Sequence, residues 1–351
     1  MAEKIRVLHL LQSGHFSGAE NVACKIIEMF KNDEKFDMAY ASKNGSIREV
    51  LENKNIKYYP MYKLCYKEVK KIIEEYKPDI IHAHDATASV ISSIFYKKCK
   101  IISHLHSNPP WIRKFGLNSI IYLVRSFKYN KILTVSKSIM DEYVYGNIMK
   151  NKVIQINNPV NIEDIQQKSK LTFNKVTNSD LIYIGRLANP KNPLRFIKIV
   201  NKLKRDLPNI RAVMVGDGDL KYQCIELINK LHLSKNIILV GFVDNPFVLL
   251  KNSKVLCITS DWEGYGLVAV EALAIGKPVV CRSVGGLTSI VDDKCGKACN
   301  SDDEIINELK CLITKEEYLQ KKSKNASARA DILNNFNSYR NTIQDIYCNC
   351  I

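Results

Sequence analysis

Short β-branched runs alternate with amphipathic helical stretches along the chain, and this alternation stops once and restarts. In the first half the predicted strands are 5–10, 37–41, 80–84, 100–104, 131–135 and 153–156. Helical patterns such as 19–31 and 69–76 lie between them. Strand, helix, strand in succession is the signature of a parallel, doubly wound sheet. The rhythm breaks at Asn157-Asn158-Pro159-Val160, and the polar stretch 161–179 reads as a linker. It then resumes with predicted strands at 181–185, 210–215, 237–240, 255–259 and 278–281. The expected fold is therefore α/β with two Rossmann-like domains, 1–160 and 161–334, facing a central cleft. A helix at 335–351, with Ile343, Ile346 and Tyr347 at helical spacing, is expected to pack back on the first domain. Ligands of such sheets bind at the carboxyl ends of the strands.

Composition narrows the class. Of 351 residues, 46% are hydrophobic and 25% charged, which excludes a disordered chain. No apolar run approaches the ~18 residues of a membrane span. The apolar run at the N-terminus is too short for a signal peptide, so a cytoplasmic location is expected. The eleven cysteines are scattered and lack zinc-ligand spacing, so they read as small buried hydrophobes and no metal site is expected. The net charge of +16 suits nucleic acid, anionic lipid or phosphorylated small molecules. Its distribution is uneven. Residues 86–140 contain nine Lys and Arg and no Asp or Glu.

Three segments carry candidate chemistry. In Gly185-Arg186-Leu187-Ala188-Asn189-Pro190-Lys191-Asn192-Pro193, a strand end is followed by two cations and a proline suited to a first helical turn. Arg186 and Lys191 there either meet a diphosphate or are solvated surface charges. Gly216-Asp217-Gly218 is a strand-to-helix turn that could bring backbone close to a ligand or merely connect elements. The segment from Ser260 to Pro278 is the most specific. The loop amides from Gly264 through Tyr265, Gly266 and Leu267 to Val268 would form an anion site at a helix N-terminus. Glu263 and Glu271 flank them, and a carboxylate readily accepts hydrogen bonds from a sugar or ribose diol.

These motifs together resemble the retaining glycosyltransferases of family 4, which have the GT-B fold. The resemblance rests on Gly-Arg-Leu with Lys-Asn at 185–192, Val-Gly-Asp-Gly at 215–218, Val-Gly-Phe-Val at 240–243, and the Glu-(seven residues)-Glu interval from Glu263 to Glu271. In the first half, Gly14-His15-Phe16-Ser17-Gly18-Ala19-Glu20 is similar to the family's Gly-Gly-x-Glu loop, with Ser17 in place of the first glycine. His82-Ala83-His84 and His104-Leu105-His106 are similar to family strand ends, and the second is where the family places its active-site histidine.

The resemblance implies a metal-independent, retaining hexosyltransferase that uses a nucleotide-diphosphate sugar. Arg186 and Lys191 would neutralise the leaving diphosphate, with no cofactor. Glu263 would hold the donor sugar, and Glu271 the ribose. Gly18, Gly185, Gly216, Gly218, Gly241, Phe242, Val243 and the 264–268 amides complete the implied donor site. His106, with His104 the lesser candidate, would orient the sugar and stabilise positive charge. His82 reads as a core histidine. Glu20, His106, Trp111 and Arg113 would meet the acceptor. A uridine-diphosphate hexose or N-acetylhexosamine comes first among donors, and a guanosine-diphosphate mannose second. The implied setting is cell-surface polysaccharide synthesis, such as capsule or O-antigen.

The basic, acid-free stretch is interleaved with Phe95, Tyr96, Trp111, Phe115, Tyr122, Phe127 and Tyr129. Cations with interfacial aromatics suit peripheral attachment to the inner face of the cytoplasmic membrane and a polyprenyl-diphosphate-linked acceptor. Two other classes compete. A GT-B sugar-nucleotide epimerase would need its own acid-base carboxylates and no acceptor site. A nucleic-acid binder would account for the charge but has no recognised binding motif.

Overall fold

A computed structural model describes residues 3–171 and 178–351. The chain forms two compact units. The first comprises Met1–Pro159 and Phe336–Ile351, the second Val160–Asn335.

The first unit is built on a seven-stranded sheet. Its strands are Ile5–Leu10 (β1), Phe36–Lys43 (β2), Tyr58–Met61 (β3), Ile80–Ala83 (β4), Lys100–Leu105 (β5), Lys131–Thr134 (β6) and Val153–Gln155 (β7). They lie in the order β3-β2-β1-β4-β5-β6-β7. Every neighbouring pair is parallel. The second unit has six strands, Ser179–Ile184 (β8), Ala212–Val215 (β9), Ile237–Gly241 (β10), Ser253–Ile258 (β11), Val279–Arg282 (β12) and Gly296–Cys299 (β13). Their order is β10-β9-β8-β11-β12-β13, again all parallel. Both units are thus Rossmann-like α/β layers.

The central strands read as apolar runs because helices cover both their faces. Val7, Leu8 and Leu10 of β1 are buried, as are Val255, Leu256 and Cys257 of β11. The second core gathers Leu181, Met214 and Cys257 from the sheet with Phe196, Ile199 and Leu309 from helices. Two strands escaped the sequence reading. β3 reads Tyr-Tyr-Pro-Met, and a proline is tolerated there because β3 is an edge strand. β13 is an edge strand of the second sheet, four residues long and carrying Lys297. The stretch 161–179 is not simply a linker. Asn161 caps a helix at Ile162–Lys168 by accepting from the Asp164 amide at 3.0 Å, and Ile162 and Ile165 are buried. The part of that stretch at 172–177 lies outside the described residues.

The helix Phe336–Cys348 belongs to the first unit. Tyr339, Ile343, Ile346 and Tyr347 are buried. Tyr347 lies against Phe30 and Phe36. Arg340 fixes the other end. It bonds Asp33 Oδ2 at 2.6 Å and the Met29 carbonyl at 3.2 Å, and its guanidinium lies 4.7 Å from the Phe30 ring centre.

Arg340→Ala removes these contacts together and is expected to cost roughly 1–3 kcal/mol. The check is a urea unfolding curve of a Trp262→Phe background, where Trp111 is the remaining tryptophan and reports on the first unit. An unchanged midpoint would show that the helix is held without Arg340.

Candidate active site

In the second unit the carboxyl ends of β8, β9, β10, β11 and β12 lie on one edge, because all strands run the same way. The loop after β8 carries Arg186 and Lys191. A short 3-10 turn, Asn189–Lys191, precedes Asn192, which takes the left-handed conformation (φ 47°). Asn192 then caps the helix Pro193–Lys204 by accepting from the Arg195 amide. Lys191 Nζ reaches Glu263 Oε1 at 2.5 Å, and Ser260 Oγ donates to the same oxygen at 2.8 Å. Glu263 is mostly buried, with 12% of its side chain exposed. Two residues singled out from sequence, 72 positions apart, therefore form one ion pair. Arg186 is exposed and forms no salt bridge among the described residues.

Asp261 braces these loops. Its carboxylate accepts from Asn192 Nδ2 at 3.0 Å, Arg195 Nη1 at 3.0 Å and Arg282 Nη1 at 2.9 Å. Its amide donates to the Pro190 carbonyl at 2.9 Å, and Thr259 Oγ1 donates to the Asn192 carbonyl at 2.9 Å. Sequence reading missed Asp261, although it stands two residues before Glu263. Its partners come from the cap and first turn of the helix Pro193–Lys204 and from the end of β12, and share no spacing with it.

Glycines make the close approaches possible. A Cβ on Gly216, at φ +139°, would lie 2.0 Å from the Gly185 carbonyl oxygen. The Gly216-Asp217-Gly218 turn therefore packs on the 185–187 loop of its own chain, and Asp217 binds Lys221 at 2.7 Å. A Cβ on Gly285, at φ +52°, would run into the Glu263 carbonyl. Gly241 has φ +87° and open space where a Cβ would sit, and Phe242 beside it is exposed.

Helix Leu267–Ala274 begins at Gly266, which has φ 98°. Its first intrahelical donor is Ala269, bonded to the Gly266 carbonyl at 2.9 Å. The Leu267 and Val268 amides precede that bond, at the end of the helix dipole that favours anions. The Tyr265 side chain is buried beneath this loop. Glu271 lies within the helix and is only partly buried, among buried Val270, Ala272 and Leu273.

In the first unit, Ser17 precedes the helix Gly18–Met29, and its Oγ donates to Glu20 Oε2 at 2.5 Å. Glu20 is buried. Space beside Gly18 is open, whereas Gly14 packs on the Lys43 carbonyl. Trp111 is half-buried against Tyr122 and Tyr143. Arg113 donates twice to Glu142 Oε2, at 3.0 and 2.8 Å. Its charge is thus balanced by a carboxylate just beyond the acid-free stretch.

His106 is not alone. His9, His82, His84 and His104 are fully buried beside it, from β1, β4 and β5 and the residue after β4. His9 pairs with His82 across the β1–β4 register, and the even spacing of 82, 84, 104 and 106 puts all five on one face. Burial holds every one of them neutral. It lowers the pKa of His9 to about 3 and that of His106 to about 3. His82, His84 and His104 are lowered well below the ordinary value, chiefly by burial and then by their neighbours. Two groups, His9 with His82 and His84, and His84 with His104 and His106, bring possible ligand nitrogens within 4.8 Å. The sequence pass saw His-x-His twice but not this convergence.

Two family models match the chain in tandem, "Glycosyltransferase Family 4" over residues 30–164 and "Glycosyl transferases group 1" over residues 164–329. A glycosyltransferase of Methanocaldococcus jannaschii is 32% identical over 63% of this chain, a match spanning 59% of that protein's length. The UDP-Gal:alpha-D-GlcNAc-diphosphoundecaprenol alpha-1,3-galactosyltransferase of Escherichia coli is 25% identical over 99% of this chain and 98% of its own. Among solved structures, Anabaena Alr3699/HepE in complex with UDP-glucose superposes with a TM-score of 0.83 at 20% identity, covering 98% of this chain and 99% of that one. The fold is thus GT-B.

The buried histidines set an acid limit. Each is neutral when folded and binds a proton near pH 6.5 when unfolded, so the unfolded state binds more protons as pH falls. Their stabilising contribution is complete above about pH 6.5 and declines toward pH 3. In the Trp262→Phe background, the urea midpoint reported by Trp111 is expected to drop steadily between pH 7 and pH 5. A flat midpoint over that range would contradict the burial of neutral imidazoles.

Proposed function

Since the chain belongs to the GT-B glycosyltransferases, matched in tandem by the family 4 and group 1 models, we propose that it is a retaining, metal-independent hexosyltransferase. Its donor is a uridine-diphosphate hexose or N-acetylhexosamine, and its acceptor a saccharide carried on a polyprenyl diphosphate, in capsule or O-antigen synthesis. The observation that carries this reading is the strand-end edge of the second unit. An ammonium, a carboxylate and a helix N-terminus are gathered there on braced loops. The names of two relatives support the substrate classes. The Escherichia coli galactosyltransferase is named for UDP-Gal and a diphosphoundecaprenol acceptor, and a Staphylococcus aureus relative for capsular polysaccharide biosynthesis.

The chemistry follows from the edge. Lys191 uses one of its three N–H groups on Glu263 and keeps two for a diphosphate oxygen. Arg186 adds an exposed guanidinium, and the Leu267 and Val268 amides add dipoles. Together they stabilise the negative charge that grows on the leaving diphosphate, in place of a metal ion. Glu263, held by Lys191 and Ser260, takes donor-sugar hydroxyls on its remaining lone pairs. Glu271 takes the ribose diol. Attack on the same face as the departing phosphate lets a phosphate oxygen collect the acceptor's proton, which retains configuration. Neutral His106 is neither nucleophile nor base in this scheme, and the turn it occupies orients the acceptor.

Lys191→Ala and Arg186→Ala are each expected to lower kcat by about 10²–10³-fold. Glu271→Ala should abolish transfer with an unchanged Tm. EDTA should leave turnover intact. The measurement is release of UDP from a panel of nucleotide sugars with a lipid-linked acceptor extract. Turnover lost to EDTA and restored by Mg²⁺ would overturn the metal-free scheme, and full activity of Glu271→Ala would remove it from the donor site.

The first unit also carries an inverted helix. Leu117–Ser126 buries Ser119, Tyr122 and Ser126 and turns its apolar residues outward. Leu117 is 73% exposed, Val124 57%, and Phe115 and Phe127 beside it 79% and 63%. Lys114, Arg125 and Lys128 are exposed around them. An apolar face rimmed with cations suits an anionic bilayer surface, where each cation adds about 1 kcal/mol. Among the described residues no helix is long and apolar enough to cross a membrane. We expect co-sedimentation with anionic liposomes that weakens in 1 M salt and is lost in a Leu117→Ser, Val124→Ser, Phe127→Ser variant. Equal sedimentation of the variant and the parent protein would leave this face without a membrane role.

A further inference from the structure

Beyond the end of β11, three alternate residues reach the same short piece of chain. Thr259, Asp261 and Glu263 all bond the turn 190–192 that follows β8. Three successive carbonyls of that turn are taken. The Asp261 amide donates to the Pro190 oxygen at 2.9 Å. Thr259 Oγ1 stands 3.2 Å from the Lys191 carbonyl oxygen and 2.9 Å from that of Asn192, with one proton to share between them. Thr259 is fully buried, so no solvent competes for these bonds. The Asp261 carboxylate accepts from the Asn192 side-chain amide at 3.0 Å. Asn192 lies in the left-handed region, at φ 47° and ψ 58°, which a non-glycine residue keeps only where its surroundings hold it.

At the far end of the side chain, Glu263 Oε1 accepts from Lys191 Nζ at 2.5 Å. A lysine stem is long and flexible, and by itself gives its ammonium no fixed place. Here the stem is anchored at its root by Thr259 and Asp261 and at its tip by Glu263. Asp261 does this without competing for the ammonium. Its Oδ1 lies 3.0 Å from Arg195 Nη1 and 2.9 Å from Arg282 Nη1, and Arg195 Nε meets Asp302 at 3.0 Å. The charges of these two arginines and two aspartates cancel, so the brace draws nothing from Lys191.

We propose that Thr259 and Asp261 are positioning residues for Lys191, fixing the turn 190–192 so that the ammonium stands where charge grows on a departing diphosphate. This rests on the reading above, in which Lys191 meets the donor's diphosphate. A cation already in place needs no reorganisation as the bond breaks, and a misplacement of about 1 Å can cost about 10²-fold in rate. Loosening the root of the side chain therefore falls on the transition state more than on the bound donor. UDP reports the same difference in a binding measurement, because its free terminal phosphate carries the charge that the donor acquires only on cleavage.

The test is a double-mutant cycle on the full chain between Lys191→Ala and Thr259→Val, an isostere without the hydroxyl. The Kd for UDP is read by calorimetry and kcat by UDP release. Thr259→Val is expected to weaken UDP about fivefold and to lower kcat about tenfold with donor KM within about twofold, and Thr259→Ser to restore both. In the Lys191→Ala background, Thr259→Val should change neither by more than about twofold. Asp261→Asn keeps an acceptor for Asn192 but loses the charge facing Arg195 and Arg282. It is read in the same cycle with the same expectation, so the result does not hang on one variant. Both the Lys191 and Asn192 amides donate to the Ala188 carbonyl, and their hydrogen exchange reads the turn without any ligand. Exchange there should quicken at least about threefold in Thr259→Val and return in Thr259→Ser. Losses of equal size with and without Lys191 would overturn the proposal. So would losses that Thr259→Ser does not restore, or unchanged exchange. Faster exchange in a protein that binds no UDP and transfers from no nucleotide sugar would sink the functional reading and leave the anchoring of Lys191 standing. Transfer with losses that ignore Lys191 would do the reverse.

Discussion

Parallel pairing is the constraint on which the rest depends. Each strand runs the same way as its neighbours, so every crossover is a helix and every strand ends on one edge of its sheet. Residues far apart in sequence therefore meet without any long loop to carry them. Glu263 reaches Lys191, and Asp261 reaches Asn192, Arg195 and Arg282, because β8, β11 and β12 are adjacent. The loops are packed tightly enough that backbone meets backbone. Gly216 against Gly185 and Gly285 against Glu263 leave no room for a side chain. These glycines serve the chain's own packing before they serve any ligand.

The two units use that edge in opposite electrostatic ways. In the second, fixed ions are paired across loops and remain partly exposed, so charge is available at the surface. In the first, four fully buried imidazoles and the partly buried His106 are neutral, and the edge is a polar lattice instead of a charged one. The basic character read from residues 86–140 is correspondingly diluted at one of its named cations, since Glu142 takes Arg113. The apolar side of Leu117–Ser126 is the part of that stretch that stands out, and its inward serines are what turn it outward.

Central strands were legible because burial on both faces demands continuous apolar runs, as in Val7-Leu8 or Val255-Leu256-Cys257. The strand-end motifs were legible because glycine, cation and carboxylate sit at turns whose neighbours are strands and helices of known spacing. Edge strand β3 was not, since an edge tolerates the Pro60 that argues against a strand. The helix Ile162–Lys168 was hidden by its polarity, with only two apolar residues to bury. The Asp261 brace and the histidine cluster were hidden for a different reason. Each is a meeting of residues that adjacent strands and the helices packed on them bring together, and Tyr347 joins His82 from 265 positions away.

That last separation has a consequence for biosynthesis. The first unit is begun by residues up to Pro159 and completed only by the helix Phe336–Cys348, with the whole second unit translated in between. At about 5–20 residues per second, the interval is on the order of ten seconds or more. During it, Phe30, Phe36 and His82 lack the Tyr347 ring and hydroxyl that cover them in the finished fold. The second unit, contiguous in sequence, has no such wait. Nascent chains thus hold an unsealed N-terminal sheet for as long as the second unit is being made. Products cut short near residue 335 would carry an intact second unit and a first unit with an open core, a species for chaperones and proteases to sort.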